Sequence, residues 1–256
     1  MCRCRAPAFG RRGALFAAAL LPAGLAAGAA RAEAYLMPRL RLAPMPGGPP
    51  RVALTLDACS GHADLRVLGG LMRLGLPATV FVTARWLRAN PDVVTLLLER
   101  PDLFSLQNHG ARHVPAVLGH GRLYGIPVAG TIEAVRAEVE GGTAAILAAG
   151  APPPSWFRGA TALYSPAALV AIRATGLRVA GFSVNGDEGA SLNAARVAAR
   201  IAAARDGDVV IAHTNHPERP SGPGVVEGAA RLADRGVRLV RLDTGPFEEI
   251  DAPPRA

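Results

Sequence analysis

The sequence predicts an α/β protein built on a parallel sheet, and three observations lead to this fold class. Short apolar segments alternate with helical patterns along most of the chain. Half of the 256 residues are apolar, which is enough for one sizeable core. The predicted strands number seven, and seven parallel strands close or nearly close a barrel that carries its helices on the outside.

The predicted strands are short runs rich in Val, Leu, Ile and Phe. They cover residues 52–56, 78–82, 103–106, 155–157, 179–184, 209–212 and 237–242. The predicted helices between them cover residues 64–74, 92–99, 132–149, 166–175, 192–205 and 225–235. Ser165 and Pro166 provide a cap and a proline at one helix start, and Gly150 and Gly176 mark helix ends.

The first 32 residues have the composition of a cleavable export signal. Four arginines precede an Ala/Leu-rich run over residues 13–30, which closes on an Ala-Arg-Ala pattern. The run is too short and its side chains are too small for a stable membrane span. We therefore expect residues 1–32 to be removed and the mature protein to be periplasmic or secreted. The alternative is an uncleaved membrane anchor, and the Arg-Arg pair before the run also allows twin-arginine export.

After the signal, the composition divides the chain into three segments. A Pro-rich lead-in covers residues 33–50, and one domain with all the predicted strands and helices covers residues 51–243. The Pro-rich residues 244–256 are predicted to be a flexible tail.

Charge and cysteine content argue against a nucleic-acid-binding protein and against a disulfide-bonded one. The chain has 28 basic residues, all arginine, but five lie in the predicted signal. The rest of the chain therefore has 23 basic residues against 20 acidic ones. No basic block is interleaved with aromatic residues, so nucleic acid is not expected as a partner. Cys2 and Cys4 fall in the signal, which leaves Cys59 and excludes an internal disulfide in the mature chain. We expect Cys59 to be either buried or close to the chemistry.

Polar residues with catalytic or metal-binding chemistry follow the carboxyl ends of the predicted strands. They are Asp57, His109, His113, Arg158, Asp187 and His213. In a parallel barrel these ends meet on one face, where the strand-to-helix loops build active sites. This pattern carries more weight than any single motif.

His109 and His113 are separated by three residues in a segment that Gly110 and Pro115 indicate to be a loop. Two imidazoles on a helix face with a structural role are the alternative. Neutral imidazoles brought together in a loop suit zinc or a similar divalent ion. A catalytic zinc ion takes three protein ligands and keeps one position open for water, so a third ligand is needed.

Asp57 and His213 follow two different strands and suit acid–base chemistry. A carboxylate beside a metal-bound water acts as a general base, and an imidazole on the other side protonates a leaving amine. The alternatives are an Asp57 that hydrogen-bonds its own loop and a His213 that is a satisfied core histidine. Base and acid on opposite sides of a metal-bound water indicate amide or ester hydrolysis.

Five segments resemble, in order and spacing, the motifs of the polysaccharide deacetylases, carbohydrate esterase family 4. They read LTLDACSG, NHGARH, WFRGATALY, SVNGDEGA and DVVIAH. The resemblance runs from Val52 to Leu242. It implies a distorted (β/α) barrel and metal-dependent removal of N- or O-acetyl groups from glycans. It makes Asp57 the catalytic base and His213 the catalytic acid, with His109 and His113 as metal ligands.

The resemblance also gives two residues a positioning role. Arg158 would hold Asp57 in its charged, oriented form. Asp187 would do the same for His213, because a carboxylate near an imidazole favours its protonated state.

Two departures from the family pattern stand out. The family has a second Asp directly after the base as a metal ligand, and this chain has Ala58 there. The Arg-x-Pro-Tyr motif reads Arg-Gly-Ala-Thr, with Tyr164 displaced. Asp64, Cys59 and His62 are the local candidates for the missing ligand. We favour Asp64, a hard carboxylate in a loop that can fold back. The alternative role for Asp64 is an acid in the first turn of a helix.

The sequence therefore predicts an exported bacterial hydrolase with one divalent metal ion, zinc or else cobalt, that acts on an acetylated glycan. One alternative is an amidase that acts on a related small-molecule amide. The other is a catalytically silent glycan-binding protein, indicated by the Asp missing at position 58. Glycan binders present exposed aromatic platforms, and this chain has only Trp86 and Trp156 as tryptophans.

Overall fold

The computed structural model describes residues 35–250, and its centre is a curled parallel sheet with helices packed outside it. The predicted signal over residues 1–32 lies outside the described residues. So do residues 251–256 of the predicted tail.

Twelve strands are present in the described part of the chain. In chain order they are β1 Arg39–Leu42, β2 Arg51–Ala58, β3 Ala78–Val82, β4 Phe104–Asn108, β5 Arg122–Leu123, β6 Ile126–Pro127, β7 Trp156–Phe157, β8 Arg178–Val179, β9 Val184–Asn185, β10 Val209–His213, β11 Arg238–Val240 and β12 Phe247–Ile250.

Seven α-helices are present in the same residues. They are α1 Leu65–Leu74, α2 Ala84–Ala89, α3 Pro91–Leu98, α4 Ile132–Ala148, α5 Pro166–Arg173, α6 Ala194–Ala202 and α7 Gly222–Asp234. Two short 3₁₀ turns, Ala160–Ala162 and Leu242–Thr244, complete the regular structure. Six of these helices match the predicted ones, and α2 was not predicted. None of the helices within residues 35–250 is both long and apolar enough to cross a membrane.

The main sheet confirms the predicted fold class, a distorted (β/α) barrel. Seven strands run in the order β8-β7-β4-β3-β2-β10-β9, and β11 pairs with the beginning of β2. Every pairing in this sheet is parallel. The end strands β8 and β9 do not pair with each other, so the sheet is a half-barrel rather than a closed one.

The predicted fifth strand, residues 179–184, is divided into β8 and β9. The interruption lies at Gly181, where a Cβ atom would be 2.2 Å from the carbonyl oxygen of Pro38. The carbonyl groups of Ala180 and Gly181 also accept hydrogen bonds from the side chain of Arg158 instead of continuing a strand ladder. A close backbone contact and a buried cation therefore break this strand.

The predicted lead-in and tail pair with each other. β1 and β12 form an antiparallel ladder in which Leu42 is opposite Phe247. Residues 247–250 are thus a strand, and the flexible tail predicted from residue 244 onward is corrected for this part. The pairing joins segments about 200 residues apart and neither has a strong strand pattern, which explains why it was not predicted from local sequence.

β2 lies at the middle of the sheet, and all eight of its residues are buried. Its partners on either side are β10 and β3, with Asp57 directly opposite His213 in β10 and Phe81 in β3. The largest hydrophobic cluster contains side chains from β2, β3 and β4 together with those of α1, α6 and α7. The carboxyl ends of the central strands are therefore fixed by a packed core.

Candidate metal and catalytic site

A buried ion pair joins Asp57, near the end of β2, to Arg158, just after β7. Arg158 Nη1 donates to Asp57 Oδ1 at 2.8 Å, and both side chains are at most 5% exposed. Burial alone would raise the pKa of the Asp57 carboxyl, but the positive charges of Arg158, His109 and His213 together lower it. Asp57 therefore stays an oriented carboxylate.

Arg158 is held in place by several other groups. Nη1 also donates to Thr55 Oγ1 at 2.8 Å, and the guanidinium lies 4.2 Å from the centre of the Phe81 ring. The carbonyl groups of Ala180 and Gly181 accept from Nε and Nη2. Sequence reasoning missed Thr55, although it lies two residues before Asp57 and so on the same side of the strand.

His109 follows β4 and is 1% exposed. Its Nδ1 lies 2.6 Å from the carbonyl oxygen of Arg158. Because a carbonyl oxygen can only accept, Nδ1 carries the proton and the lone pair on Nε2 is free to bind a metal ion. Nε2 lies 3.4 Å from Cys59 Sγ and 3.7 Å from Asp57 Oδ2.

Cys59, His109 and His113 form a cluster whose ligand atoms all lie within 4.8 Å of one another. The centres of the His109 and His113 rings are 4.9 Å apart. Burial raises the pKa of the Cys59 thiol, but the charge and hydrogen bonding of neighbouring histidines bring it well below its ordinary value. A thiolate and two imidazoles are donors that zinc takes, and three protein ligands leave a fourth position open. The residues present thus fit a divalent metal ion.

The pKa of His109 reports the same electrostatic environment. Burial lowers it, but Asp57 and Cys59 raise it above the ordinary value for histidine. The two anionic groups therefore stabilise positive charge at this point, whether a proton or a metal ion carries it.

The loop that carries His113 is shaped by Glu138 of α4. Glu138 Oε1 accepts from the backbone N–H groups of Arg112 at 2.7 Å and Val114 at 3.0 Å. The backbone of Gly110 lies so close to Glu138 that a Cβ atom at this position would be 2.5 Å from the same oxygen. His113 adopts the left-handed conformation, with φ +66°. Glu138 therefore positions a metal-ligand candidate without touching the cluster, and nothing in the local sequence pattern indicated this role.

The structure does not bring Asp64, our preferred third ligand, to the two imidazoles. Asp64 is the N-cap of α1, and its carboxylate accepts from the backbone N–H of Arg66. It also forms a two-pronged ion pair with the Arg66 guanidinium, at 2.8 and 2.6 Å. These contacts use both oxygens, so Asp64 lies outside the cluster, and the third group in the cluster is Cys59. The other alternative, His62, is exposed and is not part of the cluster.

His213, the last residue of β10, is held by Asp187 beyond β9. The Asp187 carboxylate lies 3.0 Å from His213 Nδ1 and also accepts from the His213 backbone N–H at 2.7 Å. Burial lowers the pKa of His213, but the charge and hydrogen bond of Asp187 raise it well above the ordinary value. The hydrogen bond and charge of Cys59 add to this rise, so His213 is kept as an imidazolium beside the cluster.

The two aromatic residues near the Arg158 loop belong to the core. Trp156 is 1% exposed and packs against Phe247 and the guanidinium of Arg178. Tyr164 is fully buried, and its hydroxyl accepts from the backbone N–H of Gly159 at 2.7 Å. Neither ring is available to stack on a sugar.

Solved structures with this architecture include several carbohydrate esterases. A family 4 carbohydrate esterase from Streptomyces lividans in complex with acetate has a TM-score of 0.61 at 20% identity, covering 80% of this chain and 98% of that one. Peptidoglycan deacetylase PdaC from Bacillus subtilis has a TM-score of 0.61 at 20% identity, covering 77% and 89%. A pseudoenzyme of the same esterase family from Bacillus anthracis has a TM-score of 0.62 at 16% identity, covering 77% and 65%. These similarities establish the shared fold.

A comparison with curated proteins found no match. The polysaccharide deacetylase family model matches residues 45–180, which is more than half of the chain. This stretch includes Asp57, the Cys59–His109–His113 cluster and Arg158. The chain belongs to the polysaccharide deacetylase family.

Proposed function

We propose that this protein is a metal-dependent hydrolase that removes acetyl groups from a glycan. One observation carries the proposal. Asp57 and His213 are register partners in adjacent strands, and beside them lie three potential metal ligands within 4.8 Å of one another. A base, an acid and a metal site in one place are the parts that hydrolysis of an amide or ester needs.

The metal is proposed to be zinc, held by Cys59, His109 and His113. A set with one thiolate and two imidazoles favours zinc over magnesium, calcium or manganese, which prefer oxygen ligands. When bound, the ion supplies Lewis-acid polarisation of the acetyl carbonyl and lowers the pKa of water. Cobalt is the alternative ion that the same donors accept.

The proton transfers are assigned to side chains of this chain. Asp57 removes a proton from the attacking water as its oxygen bonds to the acetyl carbon, and Arg158 keeps Asp57 ionised for this step. His213 gives its proton to the departing sugar nitrogen or oxygen as the bond to the acetyl carbon breaks. Asp187 keeps His213 protonated beforehand. The products are acetate and a sugar with a free amine or hydroxyl group.

Two alternatives are kept as outcomes of the test. A fold of this kind also occurs in the Bacillus anthracis pseudoenzyme, so a silent glycan-binding protein is one alternative. Ala58 favours it, whereas the retained Asp57, Arg158, Asp187 and His213 favour an enzyme. The second alternative is hydrolysis of a related small-molecule amide at the same site.

The test measures acetate release from a panel of N- and O-acetylated oligosaccharides and small acetamides. The full chain is used with zinc, after chelation and as the Asp57→Asn variant. Acetate release from oligosaccharides by the zinc-loaded wild type, and not by the chelated protein or the Asp57→Asn variant, supports the proposal. Release from acetamides alone favours the amidase. Glycan binding without any release, by protein shown to hold zinc, favours the silent binder.

We further propose export from a bacterial cytoplasm by the signal over residues 1–32. Glycan polymers of cell envelopes lie outside the cytoplasm, so an exported enzyme would meet its substrate. The composition of the signal supports this placement.

A further inference from the structure

A cleft of about 600 Å³ opens next to the candidate metal site. Its lining includes His113 of the cluster, Ser60 just after Cys59, and the two arginines Arg85 and Arg112. The rest is mainly apolar and comes from Val114 and the segment around β6. A ligand with its acetyl group at the cluster would extend into this cleft, because His113 belongs to both.

The cleft is positively charged. Arg85, in α2, is exposed and donates from Nη1 to the carbonyl oxygen of Arg112 at 3.2 Å. No carboxylate within residues 35–250 lies within salt-bridge distance of Arg85. The mechanism assigned above does not use this cation.

Arg112 is a second cation, and its ion pair with Glu138 is long. Its side chain is 67% exposed, and its Nε lies 3.7 Å from Oε2 of Glu138. The carboxylate of Glu138 is 3% exposed, and its other oxygen accepts from two backbone N–H groups under the loop. Among the described residues that line the cleft there is no Asp or Glu. The guanidinium groups thus face solvent with unused donors.

From this arrangement we infer that Arg85 and Arg112 form a subsite for a carboxylate carried by the glycan, on a sugar next to the acetylated one. The inference rests on the proposed function and narrows its substrate class to acidic acetylated glycans. Guanidinium groups bind carboxylates through paired hydrogen bonds with defined geometry. The apolar part of the lining suits the C–H face of a sugar ring.

The experiment compares two matched substrates. One is an acetylated oligosaccharide that contains a hexuronic acid, and the other is the same oligosaccharide with the carboxylate reduced to a hydroxymethyl group. The zinc-loaded full chain should have a kcat/KM roughly 10-fold higher for the acidic substrate. This factor corresponds to the smallest contribution that hydrogen bonds to charged groups typically make. This advantage should shrink in 1 M salt, where the Debye length is about 3 Å.

The double variant Arg85→Gln, Arg112→Gln should lose the advantage for the acidic substrate. Arg88→Gln is the matched control, because Arg88 is exposed on the same helix but does not line the cleft. It should keep the wild-type preference. Equal kcat/KM values for the two substrates in wild type, or a preference that survives in the double variant, would overturn the inference.

Binding separates a failure of this inference from a failure of the proposed function. If neither oligosaccharide releases acetate, calorimetry measures their affinities for wild type and the double variant. Tighter binding of the acidic oligosaccharide by wild type, lost in the double variant, supports the subsite although the proposed hydrolysis has failed. Equal binding of the two by wild type refutes the subsite.

Discussion

The sulfur of Cys59 lies 3.4 Å from Nε2 of His109, and Asp57 Oδ2 lies 3.7 Å from the same nitrogen. Cys59 and Asp57 therefore point to the same side of β2, as residues two apart along an extended chain do. Ala58 points the other way, into the largest core cluster. Of the three local candidates for the ligand lost at position 58, Cys59 is the one that lies in the cluster with His109.

Cys59→Ser should weaken metal binding. With cobalt bound, wild type should show a thiolate charge-transfer band, which Cys59→Ser should lack. Cys59→Asp should keep a bound cobalt ion without the band, because it restores a carboxylate near the usual place. Absorption spectra of the cobalt-loaded proteins check this, and a wild-type spectrum without the band would remove Cys59 from the ligand set.

Asp64→Ala should act on stability rather than on metal content. It removes the N-cap of α1 and the partner of Arg66, so the free energy of unfolding should fall by about 1 kcal/mol, up to about 2. Denaturant unfolding measures this change, and metal analysis of the same protein should give the wild-type content. Loss of metal from folded Asp64→Ala would restore the sequence-based prediction of this ligand.

Asp57→Asn should lower kcat by ~10²- to 10⁴-fold, because the amide is not able to accept the proton from water. Metal content should stay near that of wild type, since the carboxylate is assigned to proton transfer. Acetate release and metal analysis on the same sample test both parts. Near wild-type turnover would argue against Asp57 as the base.

Asp187→Asn should move the alkaline limb of the pH–rate profile to lower pH. The acid His213 has to be protonated to act, and Asp187 raises the pKa of His213 well above its ordinary value. Without that carboxylate the imidazolium loses its proton at lower pH, so activity should fall earlier as the pH rises. An unchanged alkaline limb would mean that a group other than His213 sets it.

Protein recovered from the periplasm should begin near Glu33. The small-residue pattern before it is typical of the cleavage site that follows an export signal. N-terminal sequencing checks the prediction, and an intact leader on protein from the cytoplasmic fraction would contradict it.

The fold was predictable because its determinants are local. Apolar runs and helix-end signals such as Gly150 and Gly176 recur along the chain, and alternating strands and helices indicate a parallel sheet. Topology then brings Asp57, His109 and His213 to one face, so their convergence followed from the order of elements. Long-range contacts were not predictable, such as β1 with β12, or Gly181 against Pro38.

Asp64 was preferred over Cys59 as the third-ligand candidate because sequence spacing does not say where a strand ends. β2 continues to Ala58, two residues beyond the predicted end. Because the strand continues, the side chain of Cys59 points in the same direction as that of Asp57. Asp64 lies beyond the strand and caps α1. The side-chain alternation of the strand was the signal that would have identified Cys59.

Titration of metal-free protein with zinc tests the central claim most directly, with acetate release from an acetylated oligosaccharide as the readout. Activity should be absent without zinc, should rise linearly and should level off at one ion per chain. The Cys59→Ser variant should need much more zinc to reach a plateau. Full activity in the metal-free protein, or no acetate release after one zinc ion has bound, would contradict a metal-dependent deacetylase built on Cys59, His109 and His113.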